Sequence, residues 1–228
     1  MESSAIEREN VCVQRKEFVH RLFSSCLFIL AAILLFRIPY GAFSILCWGA
    51  FAFMIFEILS PKIKGKFWTR IIATIVCFGG IQSFIYCREF LGELGCAFLI
   101  CISSFTDIGA YSFGKILGGS KLCPKISPNK TWAGFWGGIV FANISFYCLK
   151  AAFFSKGTAF PSLGFADFWT VQAVILAAVV GDLLESWFKR AIKVKDMGKL
   201  FPGHGGVLDR LDSLLLASIV LAILDFLH

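Results

Sequence analysis

Charge is what this sequence has least of. Of its 228 residues only 16% are Asp, Glu, Lys or Arg, 57% are hydrophobic, and mean hydropathy is +0.77. A soluble domain carries roughly 25% charged residues, so an ordinary water-soluble fold is excluded and an integral membrane protein is expected. Also missing are the alternating segments of about ten residues that build a transmembrane barrel. Nine cysteines form no CxxC pair and fall mostly in apolar runs, where a thiol acts as a small hydrophobe, so neither a metal site nor a disulfide framework is expected of them. Neither GxxxxGK[ST] nor a GxGxxG turn after a strand occurs, which removes the two common soluble phosphate loops. No soluble domain, long linker or low-complexity tract stands out. The mixed-charge stretch from Met1 to Arg21 lacks an apolar core and reads as a short cytoplasmic arm rather than a cleaved signal peptide.

What is present is length without charge. Apolar stretches able to cross, or nearly cross, a hydrocarbon core of about 30 Å are expected over Leu22 to Phe36, Tyr40 to Leu59, Arg70 to Tyr86, Leu91 to Thr106, Thr131 to Phe153, Phe168 to Trp187 and Leu211 to Leu227. The fold class is therefore all-α, a polytopic membrane protein of about seven helices. Basic residues give an independent check, because short cytoplasmic loops carry the excess of Lys and Arg. With the N-terminus cytoplasmic, only Arg37, Arg88, Lys150 and Lys156 of the 22 fall outside. The net charge of +7 thus has a topological explanation and needs no nucleic acid. Two polar, glycine-containing regions, Asp107 to Lys130 and Lys189 to Arg210, fall together on the cytoplasmic side.

Against this greasy background, the stretch GDLLESWFKRAIKVKDMGKLFPGHGGVLDRLDS from Gly181 to Ser213 concentrates the chemistry. Charge in or beside a bilayer is expensive and marks a site by default. Asp182, Glu185, Ser186, Lys189 and Lys193 share one helical stripe within about 100°. A second acidic pair, Asp209 and Asp212, is again three residues apart. Two such faces brought together would offer the carboxylate oxygens that Mg²⁺ accepts; salt bridges to Arg190, Lys195 and Arg210 are the alternative. Between the pairs, Pro202, Gly203, Gly205 and Gly206 break the helix and suit a phosphate-cradling turn. His204, with an unperturbed pKa of about 6.5, is placed either to meet a phosphate oxygen or leaving group or simply to hydrogen-bond the loop. In the earlier region, Asp107 and Tyr111 lie one turn apart. Ser127, Lys130 and Thr131 surround Pro128, with Thr131 suited to cap the next helix. Positive-inside topology alone also accounts for these lysines.

The run from Ser186 through Lys189, Arg190, Lys195, Asp196, Gly198, Phe201, Pro202, His204, Gly205, Gly206, Asp209 and Arg210 to Asp212 resembles the phosphatidate cytidylyltransferase family, the CDP-diacylglycerol synthases. The Asp107 to Tyr111 region and SPNKTWAG resemble it too, so the likeness runs from about Ser103 onward. The resemblance implies N-terminal membrane helices over 1–106 and a catalytic membrane region over 107–228, with the signature at 186–212. It implies transfer of CMP from CTP to phosphatidate with release of pyrophosphate, and dependence on Mg²⁺ with room for a second cation. Metal-binding acids map onto Asp182 and Asp209, with Glu185 and Asp212 in or near that shell. Asp182, Asp209, Lys195 and His204 become the catalytic set. Lys189, Arg190, Lys193, Lys195 and Arg210 become phosphate contacts, Gly203, Gly205 and Gly206 the cradle, and Asp107, Ser127 and Lys130 the far wall. The implied partners are CTP, phosphatidate and the bilayer, with no nucleic acid and with a homodimer allowed; the implied setting is a bacterial-type cytoplasmic membrane. A CTP-dependent kinase of a polyprenol or similar lipid alcohol is the competing enzyme. A small ion transporter lined by Asp107, Asp182 and Asp209 is the non-enzymatic alternative.

Overall fold

The computed structural model describes residues 38–60, 67–154, 168–194, 197–198 and 205–227. The expected helix at Leu22 to Phe36 lies outside the described residues, as do Lys195, Gly203 and His204. Within them are α1 (Tyr40–Leu59), α2 (Phe67–Phe90), α3 (Gly92–Ile116), β1 (Lys121–Cys123), β2 (Ser127–Thr131), α4 (Trp132–Phe154), α5 (Phe168–Ala191) and α6 (Leu208–Leu227). These helices correspond to the last six expected segments. α1 to α5 are long and apolar enough to cross a membrane. α6 is not in that group and carries Asp209, Arg210, Asp212 and Asp225. The chain is an all-α, multi-pass membrane protein.

Local chemistry sets the helix limits. α1 starts after Pro39, whose lost N–H costs nothing at a helix entry. It stops at Ser60 (ψ 132°), since the residue before Pro61 is pushed out of the helical region. α2 and α3 join through Gly92 at φ 67°, a left-handed turn that lets the chain reverse. Thr131 Oγ1 accepts the Gly134 N–H at 3.1 Å and caps α4, as the sequence suggested.

Two departures from expectation bear on the site. α3 runs on to Ile116, ten residues past Thr106, so Asp107 and Tyr111 ride on a helix rather than in a polar loop. The extension is held by α4: a Cβ on Gly109 would stand 2.5 Å from the Gly137 carbonyl oxygen, and one on Gly134 2.6 Å from that of Ala110. Small residues at these positions bring the backbones into contact, the usual adhesive between helices in lipid. Gly109→Val is expected to lower the thermal unfolding midpoint in detergent by roughly 4–10 °C, from an overpacking cost of about 1–3 kcal/mol or somewhat more. Tryptophan fluorescence would read it, and an unchanged midpoint would mean that the helices do not meet there. The second departure is the antiparallel β1–β2 hairpin, with Lys121 opposite Thr131 and Cys123 opposite Ser127. It tolerates Pro128 because a two-stranded ribbon has only edges.

Phe43, Met54, Phe98, Ile102, Phe146, Val174, Ile175 and Leu221 fill the core. Phe56 (76% exposed), Trp169 (79%) and many other apolar side chains face outward, as lipid-facing positions should. Cys47, Cys77, Cys87 and Cys96 are buried free thiols. Contacts sort the helix ends into two groups. Tyr40 donates to Glu89 (2.8 Å), Arg88 to the Ile38 carbonyl (3.4 Å) and Tyr86 to Asp225 (3.0 Å) at one end. The hairpin, the end of α5 and the start of α6 meet at the other, so both polar regions share one end of the bundle.

Candidate active site

α5 and α6 are antiparallel, which decides which acids meet. Asp182 lies two turns before Lys189 on α5, and Asp212 one turn after Asp209 on α6. Level with each other, therefore, stand Asp182 and Asp212 on the deeper tier, and Lys189 and Asp209 on the outer one. Gly181 lets the deeper tier close, since a Cβ there would lie 2.6 Å from the Asp212 carbonyl oxygen. Asp182, Glu185 and Asp212 each bring a carboxylate oxygen within 4.8 Å of the other two. Glu185 is buried, and its Oε1 accepts no hydrogen bond among the described residues. A buried carboxylate oxygen without a donor is costly unless a cation completes it.

Lysines neutralise only part of this charge. Lys130, presented by β2, reaches Asp182 Oδ2 at 2.5 Å. Lys189 bridges Glu185 Oε2 (2.5 Å) and Asp209 Oδ1 (3.2 Å). Four carboxylates thus meet two lysines, before Asp107 is counted. Asp107 joins through Ser213, whose hydroxyl lies 3.5 Å from Asp107 Oδ1 and 3.4 Å from Asp212 Oδ1. All-oxygen donors with an excess of negative charge suit a hard divalent cation such as Mg²⁺.

Asp209, expected beside Asp182 as a metal-binding acid, is bonded to the backbone of the glycine turn. Its carboxylate accepts the N–H groups of Gly206 (2.7 Å) and Met197 (3.0 Å) besides Lys189. Burial works against its charged form, but the Gly206 N–H and Lys189 help to hold the Asp209 carboxyl below the ordinary aspartate value. The structure thus places Asp212, rather than Asp209, beside Asp182. The glycine turn is arranged around protein carboxylates: Gly205 adopts φ 84°, and a Cβ there would sit 2.3 Å from Asp209 Oδ2.

The remaining expected residues divide clearly. Lys130, Lys189 and Asp107 converge on the acids. Lys193 leaves the α5 stripe because the helix ends at Ala191. Lys193 takes φ 59° as the Val194 N–H turns back to the Lys189 carbonyl (3.0 Å), and its side chain is exposed. Arg190 is exposed and donates to the Ile126 carbonyl at 3.2 Å, tying the hairpin to α5. Arg210 is exposed on the first turn of α6, and Ser127 sits in β2 opposite Cys123. Glu57 on α1 is a residue that the sequence reading missed: it is buried and accepts the Val207 (2.9 Å) and Leu208 (3.1 Å) N–H groups. Its signal was available, since it is the one charged residue in α1.

Residues 2–227 match the cytidylyltransferase family. The chain belongs to that family. Among curated proteins, the chain is similar to the phosphatidate cytidylyltransferase of Brucella suis biovar 1 (strain 1330), 46% identical over 129 residues that cover 54% of the chain and 44% of the relative. The Mycobacterium leprae (strain TN) protein of the same name is 38% identical over 136 residues, 60% of the chain and 41% of the relative. The Rickettsia bellii (strain RML369-C) protein, also so named, is 40% identical over 130 residues, 56% of each. The chain spans about half the length of the curated relatives it matches.

Proposed function

We propose that this cytidylyltransferase condenses CTP with phosphatidate to give CDP-diacylglycerol and pyrophosphate. The observation that carries the reading is the donor cluster of Asp182, Glu185 and Asp212, two of whose members line an apolar cavity. That cavity runs between α2, α5 and α6 and is lined by Ile72, Val76, Leu184, Trp187, Leu215 and Leu216, with Glu185 and Asp212 in its wall. A phosphate on an acyl glycerol needs both environments within one molecule's length. The names of the curated relatives support the same substrates.

Phosphatidate is a phosphate monoester with a second pKa of about 6, so at neutral pH it is largely dianionic and needs no strong base. One of its oxygens donates an electron pair to the α-phosphorus of CTP. The bond from that phosphorus to the bridging oxygen breaks, and pyrophosphate leaves with the pair. The difficulty is bringing two polyanions together. Asp182, Glu185 and Asp212 would hold Mg²⁺, which when bound offsets phosphate charge. Lys130 and Lys189 stand on either side of the acids and would exchange part of their pairing for phosphate oxygens. We place this end of the bundle toward the cytoplasm, where CTP is, on the basic-residue asymmetry, and infer a bacterial-type inner membrane from the bacterial relatives.

Purified protein given CTP, Mg²⁺ and phosphatidate in mixed micelles should release pyrophosphate and form a cytidine-labelled lipid. Release of CDP without pyrophosphate, or phosphorylation of a polyprenol in preference to phosphatidate, would overturn this reading in favour of a lipid kinase.

A further inference from the structure

We propose that Glu57 is a positioning residue for the acid cluster, holding the start of α6 in register from the other side of the bundle. The inference rests on the metal-dependent reading of the site. Glu57 sits at the C-terminal end of α1, about 150 residues from the groups it touches, and is 7% exposed. Each of its oxygens takes one backbone donor: Oε1 the Val207 N–H at 2.9 Å, Oε2 the Leu208 N–H at 3.1 Å. These are donors at the very start of α6, which a helix leaves unsatisfied and normally covers with a local side chain. Val207 offers no side-chain oxygen, so a carboxylate from α1 does the capping and also meets the positive end of the helix dipole.

The surrounding glycines show that the fit is specific to Glu57. A Cβ on Gly206 would lie 2.4 Å from Glu57 Oε1, and the next nearest atoms are also in the Glu57 carboxylate. A Cβ on Gly198 would meet the same oxygen at 2.4 Å. The two glycines of the signature thus make room for an acid contributed by α1. On its other side the same turn is held by Asp209, through the Gly206 and Met197 N–H groups. Two carboxylates grip one turn, and Asp212, one helical turn on, inherits its depth and rotation from that grip. Because Gly206, Val207 and Leu208 already donate to Glu57 and Asp209, those amides are committed to the protein rather than to substrate phosphate.

Glu57→Gln keeps the side chain's size, loses the charge and offers one acceptor where two are needed. Three measurements on the full chain in detergent test the idea. Amide hydrogen exchange at Val207 and Leu208 should quicken by about tenfold or more, as expected when a local cap opens. Mn²⁺ affinity, read by electron paramagnetic resonance without any turnover, should fall by about tenfold, the usual cost of losing a group that orients a metal ligand. With CTP and phosphatidate, kcat should fall by a similar factor while KM for CTP changes by less than about threefold. A lower melting temperature with exchange, Mn²⁺ affinity and kcat all unchanged would make Glu57 merely structural and overturn the proposal.

A double-mutant cycle guards against a variant that fails to fold. Gly206→Ala should displace the Glu57 carboxylate and be destabilising alone, and less so in a Glu57→Ala background, because its clash is with Glu57. Additive effects would sink the proposed contact. If wild-type protein transferred no CMP, the enzymatic reading would fail. The exchange, Mn²⁺ and cycle results would still decide the role of Glu57.

Discussion

Asp182→Asn is expected to reduce the proposed CMP transfer by about a thousandfold or more and to leave the protein folded. Asp182 is one of three carboxylates whose oxygens lie within 4.8 Å of one another, and the amide removes charge where a hard cation would be most strongly held. Losing a single electrostatic contact to a reacting group costs about 100- to 1000-fold, and losing a metal ligand adds to this. Folding should survive because the Asp182 side chain is 32% exposed and its charge stands among like charges. Lys130 loses its partner with its Nζ buried, so a lowered thermal midpoint should accompany the loss of activity without unfolding the chain. Incorporation of labelled CTP into lipid gives the rate, and the thermal midpoint in detergent gives the fold. A variant retaining more than a tenth of wild-type activity would remove Asp182 from the reaction. Asp209→Asn should behave differently, losing stability along with activity, because Asp209 fastens the backbone of the turn at Gly206 and Met197.

That contrast marks where the sequence stopped being legible. Helix number and polarity could be read because burial in lipid demands long apolar runs: six expected segments appear, and both polar regions lie at one end. Asp182, Glu185, Asp209 and Asp212 could be singled out because charge next to such runs is costly. Their pairing could not be read. Asp209 and Asp212 lie on one helical face, and only the antiparallel crossing of α5 and α6 shows which of them reaches the level of Asp182. Spacing of 100° per residue kept Lys193 in the stripe, but a turn at Ala191 took it out. The glycine turn was recognised as a place for anions, and its anions among the described residues are the protein's own carboxylates. What Glu57 does at the site was not legible because the backbone donors it caps, Val207 and Leu208, lie about 150 residues away in the chain. The same reasoning that picked out Asp182, a lone acid after an uncharged run, applies to Glu57 equally well.

Lys189→Met is expected to be the most destabilising single substitution in the site. Lys189 is 15% exposed and bridges Glu185 and Asp209, whose side chains are 5% and 8% exposed. Methionine preserves the length and apolar stem but leaves two buried carboxylates without their shared cation. Removing one partner of a buried ion pair costs about 3–5 kcal/mol. At about 2–4 °C per kcal/mol for a chain of this size, the unfolding midpoint should fall by roughly 10 °C. Lys189→Met combined with Glu185→Gln should recover several degrees, since the second change removes one of the charges that the first left unpaired. The resemblance assigned Lys189 to substrate phosphate, and the two roles separate experimentally. If it served only CTP, the single variant would keep its midpoint and show a raised KM for CTP. A fall in midpoint that Glu185→Gln partly reverses would show that the lysine first holds the two acidic helix ends together. Phosphate would then have to draw it from carboxylates already in place, so that substrate arrival and cation binding by the acids become coupled steps.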